Sequence, residues 1–195
     1  MNRIICLVGM CGSGKSIVAD ELVKQGYHFA RFGQLTINTL RERGLEVNEK
    51  NERSVREGLR KEHGMGAYAS LNLPTFDRLL AQGNVVADGL YSWDEYKILH
   101  NYYGKRLKVV AILASPEVRY RRLAARTDID HQMRNRPLAR EQAISRDYAE
   151  IENSDKGGPI AMADYYIVNN FEVEHLKREI EHFLGWLDHD TAKLG

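Results

Sequence analysis

The sequence predicts a three-layer α/β/α sandwich around a parallel sheet, and three observations predict it. Short runs rich in Val and Ile, bounded by Gly, Asp or Pro, alternate with segments of helical periodicity. The first run, Ile4-Ile5-Cys6-Leu7-Val8, passes directly into Gly9-Met10-Cys11-Gly12-Ser13-Gly14-Lys15-Ser16, a complete G-x-x-x-x-G-K-[ST] loop. A later run, Val85-Val86-Ala87, ends in Asp88-Gly89. In sheets of this class, ligands gather where strands end at their carboxyl side.

The elements follow in order. Strands are expected at 4–8, 27–32, 84–87, 107–113 and 165–168, each short and apolar. The segment 16–25 carries Ile17, Val18 and Leu22 at the spacing of a helix packed on a sheet. A charged, helix-prone segment covers 41–63. The segment 66–82 is apolar at helical spacing, with Pro74 expected to kink it. Ser92 caps a helix over 92–103, with Asp94 and Glu95 in its first turn. Pro116 opens a helix over 116–126, and 172–187 closes the fold. The expected organisation is one domain over 1–188, with a helical acceptor-binding region at 33–82, a lid at about 127–140, and a frayed tail at 189–195.

Composition narrows the classes. A chain of 195 residues, 43% hydrophobic, supports one domain with a real core. With 28 basic and 27 acidic residues, the net charge of +1 gives no general attraction to nucleic acid or to a membrane surface. Cys6 and Cys11 are the only cysteines, one in the first strand and one in the loop. That placement argues against a structural disulfide or a zinc site and fits a reduced, cytoplasmic setting. No stretch reads as a signal peptide or a membrane span. A monomer or weak dimer is expected.

The loop carries the chemistry. Gly9, Gly12 and Gly14 let the backbone approach an anion closely, and the N–H groups from Cys11 to Ser16 can cradle phosphates. Lys15 supplies a charge for the β- and γ-phosphates, and the Ser16 hydroxyl suits Mg²⁺. The helix that follows aims its positive end at the same anion.

Three further groups stand near this chemistry. Asp88 can meet Mg²⁺ or substrate beside the loop; it also reads as an ordinary Asp-Gly turn. Arg119, Arg121, Arg122, Arg126, Arg134, Arg136, Arg140 and Arg146 form an arginine-rich stretch. Guanidinium groups answer the charge that develops during phosphoryl transfer, and Arg122, Arg126 and Arg136 are the catalytic candidates. The same stretch reads alternatively as a solvated basic face. The region 33–69 carries Arg41, Arg43, Arg53, Arg56, Arg60 and Lys61 among glutamates. Arg60 is the single candidate for gripping an acceptor anion, against the alternative of i,i+4 salt bridges on amphipathic helices.

Together with Ala163-Asp164-Tyr165-Tyr166-Ile167-Val168-Asn169, these motifs resemble the P-loop nucleoside and nucleotide kinases. Within them the sequence is similar to the dephospho-CoA-kinase-like, adenylate-kinase-related ATP-binding subgroup of archaea and bacteria. Three stretches carry that narrower likeness: Gly44-Leu45-Glu46-Val47-Asn48, Leu59-Arg60-Lys61-Glu62-His63-Gly64 and the run from Gly157 to Tyr165. The resemblance covers nearly the whole chain. It implies a five-stranded sheet in the order 2-3-1-4-5, ATP as donor, a small-molecule phosphoryl acceptor and a lid. It also implies that Asn169 lies near the adenine and that Arg126 flanks the base.

Two departures bear on the acceptor. Where mononucleotide kinases follow Asp-Gly with a phosphate-holding arginine, this chain has Leu90-Tyr91-Ser92. Where dephospho-CoA kinases carry an aspartate after the second strand, Phe32-Gly33-Gln34 offers an amide, which cannot act as a general base. Gln34 is therefore a candidate for binding substrate, not for deprotonating it. The expected activity is transfer of the γ-phosphoryl of MgATP to a nucleotide- or nucleoside-like acceptor. The alternatives are a nucleotide-dependent regulatory ATPase, a dephospho-CoA kinase or a polynucleotide kinase.

Overall fold

A strand buried on both faces must be apolar at every position, and β1 (Ile4–Val8) meets that demand: none of its five residues is exposed. The computed structural model describes residues 1–126 and 137–192. In it β1 is the middle of a five-stranded, all-parallel sheet. Its companions are β2 (His28–Arg31), β3 (Val85–Asp88), β4 (Leu107–Leu113) and β5 (Tyr165–Val168), in the order β2-β3-β1-β4-β5. This is the order the resemblance implied.

Side-chain alternation along the strands sorts the core into two layers. Ile5, Leu7, Val86, Val110, Ile112 and Ile167 pack with α1 (Lys15–Lys24) and α9 (Val173–Ala192). Ile4, Cys6, Val8, Val85, Ala87 and Val109 point to the other layer. That layer contains α2 (Gln34–Glu42), α3 (Glu49–His63), α4 (Ala67–Leu80) and α5 (Trp93–Tyr103). The three-layer sandwich predicted from the sequence is the observed fold.

Several boundaries differ for identifiable reasons. The helix expected over 41–63 is two helices. Gly44, at φ 63°, terminates α2 in a conformation that a Cβ disfavours. The Asn48 side chain then caps α3 by accepting from the Asn51 N–H at 2.9 Å. Helix α4 runs through Pro74 unbroken. The strand at 165–168 lies at the sheet edge, so Tyr166 and Val168 are exposed instead of buried. Helix α9 extends to Ala192, past the expected end at 187.

The arginine-rich stretch is the largest difference. It begins on α6 (Pro116–Ala124), and its last residues open a helix, α7 (Arg140–Glu152), followed by the short α8 (Gly157–Ala161). Of the expected lid, residues 127–136 lie outside the described residues, 137–139 are irregular, and Arg140 starts α7.

Candidate active site

The loop between β1 and α1 wraps the carboxyl end of the central strand. Lys15 is the first residue of α1, and its Nζ donates to the carbonyls of Gly9 at 2.9 Å and Met10 at 3.2 Å. The ammonium therefore lies across the loop on neutral acceptors, which a phosphate oxygen would outcompete by charge. Gly14, at φ 103°, has a conformation and a neighbour that both exclude a side chain: a Cβ there would collide with the Asn169 amide nitrogen.

Asn169 follows β5 and joins the loop to the opposite wall. Its Nδ2 donates to the Ser13 carbonyl at 2.8 Å, and its own N–H donates to Leu113 O at 2.7 Å. Arg122 on α6 donates to the Asn169 carbonyl at 2.8 Å, to its Oδ1 at 3.2 Å and to Phe171 O at 2.8 Å. Burial, with the neighbouring Arg121 charge second, lowers the Arg122 pKa. A cavity of about 390 Å³ opens here, lined by Gly12, Gly14, Ser16, Arg122, Arg126 and Asn169 among others. The structure thus brings the loop, Arg126 and Asn169 to one wall. Its volume falls in the range of small-ligand sites.

The other candidate arginines disperse. Arg119 forms a bidentate, buried ion pair with Asp147 of α7, at 2.9 and 2.6 Å. It also donates to the carbonyls of Ala114 at 3.0 Å and Cys11 at 3.3 Å. It therefore fixes the loop to α6 and α7. Arg140 pairs with Glu117 at the surface. Arg136 lies outside the described residues.

On the far side of the loop, Asp88 ends β3 in register with Leu7 of β1. It is 8% exposed, and its Oδ1 has no hydrogen-bond partner among the described residues. The Ser13 Oγ is likewise buried without one. A buried carboxylate oxygen left unpaired is costly, so Asp88 has a lone pair to give to a cation or a donor. One hydroxyl on the loop, Ser16, and one such carboxylate form a donor set that fits Mg²⁺. That ion takes few protein ligands and fills its octahedron with water and phosphate. Gln34 opens α2, and its Nε2 donates to Asn38 Oδ1 at 2.9 Å on the same helix.

Arg60 sits on α3 with its guanidinium 4.9 Å from the Tyr91 ring centre and 5.5 Å from that of Tyr68. Its Nε has no partner among the described residues. Around Tyr91 the structure adds a group that sequence reasoning missed. Lys156 lies 4.6 Å from the same ring and bonds to Glu150 at 2.6 Å; both are buried. Arg146 holds the other Glu150 oxygen at 2.8 Å. Burial alone would raise the Glu150 carboxyl, but the Lys156 and Arg146 charges outweigh it and hold it at about 2. Burial lowers Lys156 despite Glu150, and the loop's Lys15 lowers it further.

Glu95 was also missed as anything beyond a first-turn acid. It is fully buried, and its Oε2 accepts from the Tyr91 N–H at 2.8 Å. Burial pushes its pKa up to about 7 against the pull of that N–H and of Arg60. The Ser-x-x-Glu spacing from Ser92 to Glu95 was the available signal. Its burial was not visible, because it depends on α4 and α8, which pack against α5.

A parallel sheet in this order, with a phosphate loop joining its central strand to α1, is the P-loop NTPase fold in its kinase form. Solved structures agree on that fold. A gluconokinase from Sinorhizobium meliloti superposes with a TM-score of 0.63 over 100% of this chain and 97% of its own, at 16% identity. A shikimate kinase from Bacteroides thetaiotaomicron gives 0.58 over 95% and 98%, at 15% identity. Residues 5–154 match the model of the AAA domain family. A UPF0200 protein of Thermococcus onnurineus is 34% identical over 180 residues, 91% of this chain and 94% of that protein. The chain belongs to the AAA domain family and to the UPF0200 proteins.

Proposed function

We propose that the protein moves the γ-phosphoryl group of MgATP to a small nucleotide- or nucleoside-like acceptor. The observation that carries this reading is the phosphate loop facing a buried, unpaired Asp88 oxygen on the adjacent strand end. A phosphate loop alone implies only that a phosphate binds. A carboxylate kept unpaired beside it implies a second charge partner, as phosphoryl transfer requires.

The chain's residues divide the work. The N–H groups of Gly12–Ser16 and the start of α1 hold the phosphates. Lys15 leaves the Gly9 and Met10 carbonyls for the phosphate oxygens and stabilises the charge moving onto them. Ser16 and Asp88 would hold Mg²⁺, which would supply positive charge to the phosphates. Arg126 and Asn169 flank the base, and Arg122 fixes the base-side loop through Asn169. Arg60 and Gln34 serve the acceptor.

The kinases among the structural neighbours support the class. One observation favours a second reading, a nucleotide-dependent ATPase: the Gln34 amide is engaged on its own helix by Asn38. No described helix is long and apolar enough to cross a membrane. The test is ADP release from MgATP with nucleoside monophosphates, nucleosides and dephospho-CoA in turn. Stimulation by one acceptor, with a phosphorylated product, is expected. Equal slow hydrolysis with all of them would instead support the ATPase.

A further inference from the structure

We propose that the phosphoryl group is placed on a hydroxyl, that Glu95 takes the hydroxyl proton, and that Arg60 holds an anionic group on the same acceptor. The inference rests on the phosphotransferase reading above and decides between its two kinds of acceptor.

Among the described residues, the buried side-chain atoms with no hydrogen-bond partner are Ser13 Oγ, Asp88 Oδ1, Glu95 Oε1 and Arg60 Nε. The first two lie in the phosphate loop and at the adjacent end of β3. The last two belong to one cluster around Tyr91: Glu95 accepts from its N–H, and Arg60 lies against its ring. Lys156 touches the same ring, and the Gly89 and Leu90 N–H groups just before Tyr91 donate to Leu7 O, near the end of β1, at 3.3 and 3.2 Å. The cluster therefore adjoins the phosphate loop.

The free atoms state what a ligand must offer. Arg60 Nε needs an acceptor, most strongly an anion, and Glu95 Oε1 needs a donor. Asp88 ends β3 and Glu95 lies in the first turn of α5, at the two ends of the connection between them. A phosphate nucleophile has no proton to offer Glu95 Oε1 and would add its own negative charge beside that carboxylate. A hydroxyl is neutral, donates a hydrogen bond and needs a base. Gln34 cannot be that base. Glu95 can, because burial sets its proton affinity near neutral.

In the step, the acceptor oxygen bonds to the γ-phosphorus and the bond from that phosphorus to the β,γ-bridging oxygen breaks. ADP leaves with the electron pair, and the hydroxyl proton passes to Glu95 Oε1. The product is a phosphate ester, not an anhydride.

The test uses the full-length protein with MgATP and a panel of nucleosides, hydroxy acids, sugar phosphates and nucleoside monophosphates. ADP release is followed, and ³¹P NMR reads the product linkage. An ester is expected. Glu95→Gln, which keeps an oxygen for the Tyr91 N–H, should lower kcat about 100-fold while ATP affinity by calorimetry stays unchanged. Arg60→Lys should raise the acceptor KM about 10-fold and leave ATP affinity alone. An anhydride product overturns the inference and leaves the phosphotransferase reading standing. Full turnover in a folded Glu95→Gln protein overturns it too. ATP binding with no stimulation by any acceptor removes both. Should Glu95→Gln fail to fold, the wild-type product linkage and Arg60→Lys still decide.

Discussion

The Asn169 side chain donates to the Ser13 carbonyl at 2.8 Å, in the space that Gly14 leaves by lacking a side chain. This bond ties the phosphate loop to the segment that lines the cavity beside it, and Arg122 completes the tie from α6. Asn169→Ala removes the bond and leaves Arg122 with fewer acceptors. ATP affinity is expected to fall roughly 10-fold, the loss of about one or two hydrogen bonds to a charged or buried partner. Titration calorimetry checks it, and unchanged affinity would mean that the loop holds its shape without the clamp.

Glu95 predicts a pH dependence of stability. Its folded pKa, about 7, lies above the usual 4.5. The folded state therefore binds this proton more tightly than the unfolded chain does. The resulting stabilisation is complete below pH 4.5 and is lost as pH rises through 7, an effect of about 3 kcal/mol. Glu150 has the opposite sign: held at about 2, it stabilises above 4.5 and loses that contribution as pH falls through 2. Urea unfolding of wild type and Glu95→Gln at pH 5 and pH 8 isolates the first effect. The wild type should lose more stability between these pH values than the variant; parallel losses would refute the assignment.

The buried Arg119–Asp147 pair joins α6 and α7 and supports Cys11 from behind. Asp147→Ala strands the guanidinium in a buried site and also removes the acceptor of the Tyr120 hydroxyl. A loss of about 3–5 kcal/mol is expected, measured by chemical denaturation. A loss under about 1 kcal/mol would mean that water replaces the carboxylate at little cost.

The two thiols should differ. Cys6 is fully buried in β1, and burial pushes its thiol up, so it should resist modification in the native protein. Cys11 is partly exposed in the phosphate loop. A thiol reagent should modify one cysteine, Cys11, and MgATP should slow it. Peptide mapping that finds Cys6 modified first would contradict this placement.

The sheet and the phosphate loop were legible in the sequence because their signals are local. A strand, a glycine-rich loop and a helix follow one another over residues 4–24, and buried parallel strands need continuous apolar runs. The helical layer was less legible. Gly44 and Asn48 contain the break between α2 and α3, yet the charged residues on both sides share helical character. The arginine stretch read as one unit because its residues are close in sequence. In space Arg119, Arg122, Arg140 and Arg146 have four different partners. The cluster around Tyr91 joins α3, α5, α7 and α8, which are far apart along the chain. No local pattern marks Glu95 or Lys156 as buried.

The central claim is that phosphoryl transfer takes place at this loop, and Lys15→Ala tests it most directly. Lys15 Nζ donates to the carbonyls of Gly9 and Met10 in its own loop, so its removal should leave the fold intact. With MgATP and the acceptor that best stimulates the wild type, turnover should fall at least about 100-fold while the melting temperature holds. Undiminished turnover in a folded Lys15→Ala protein would contradict the account.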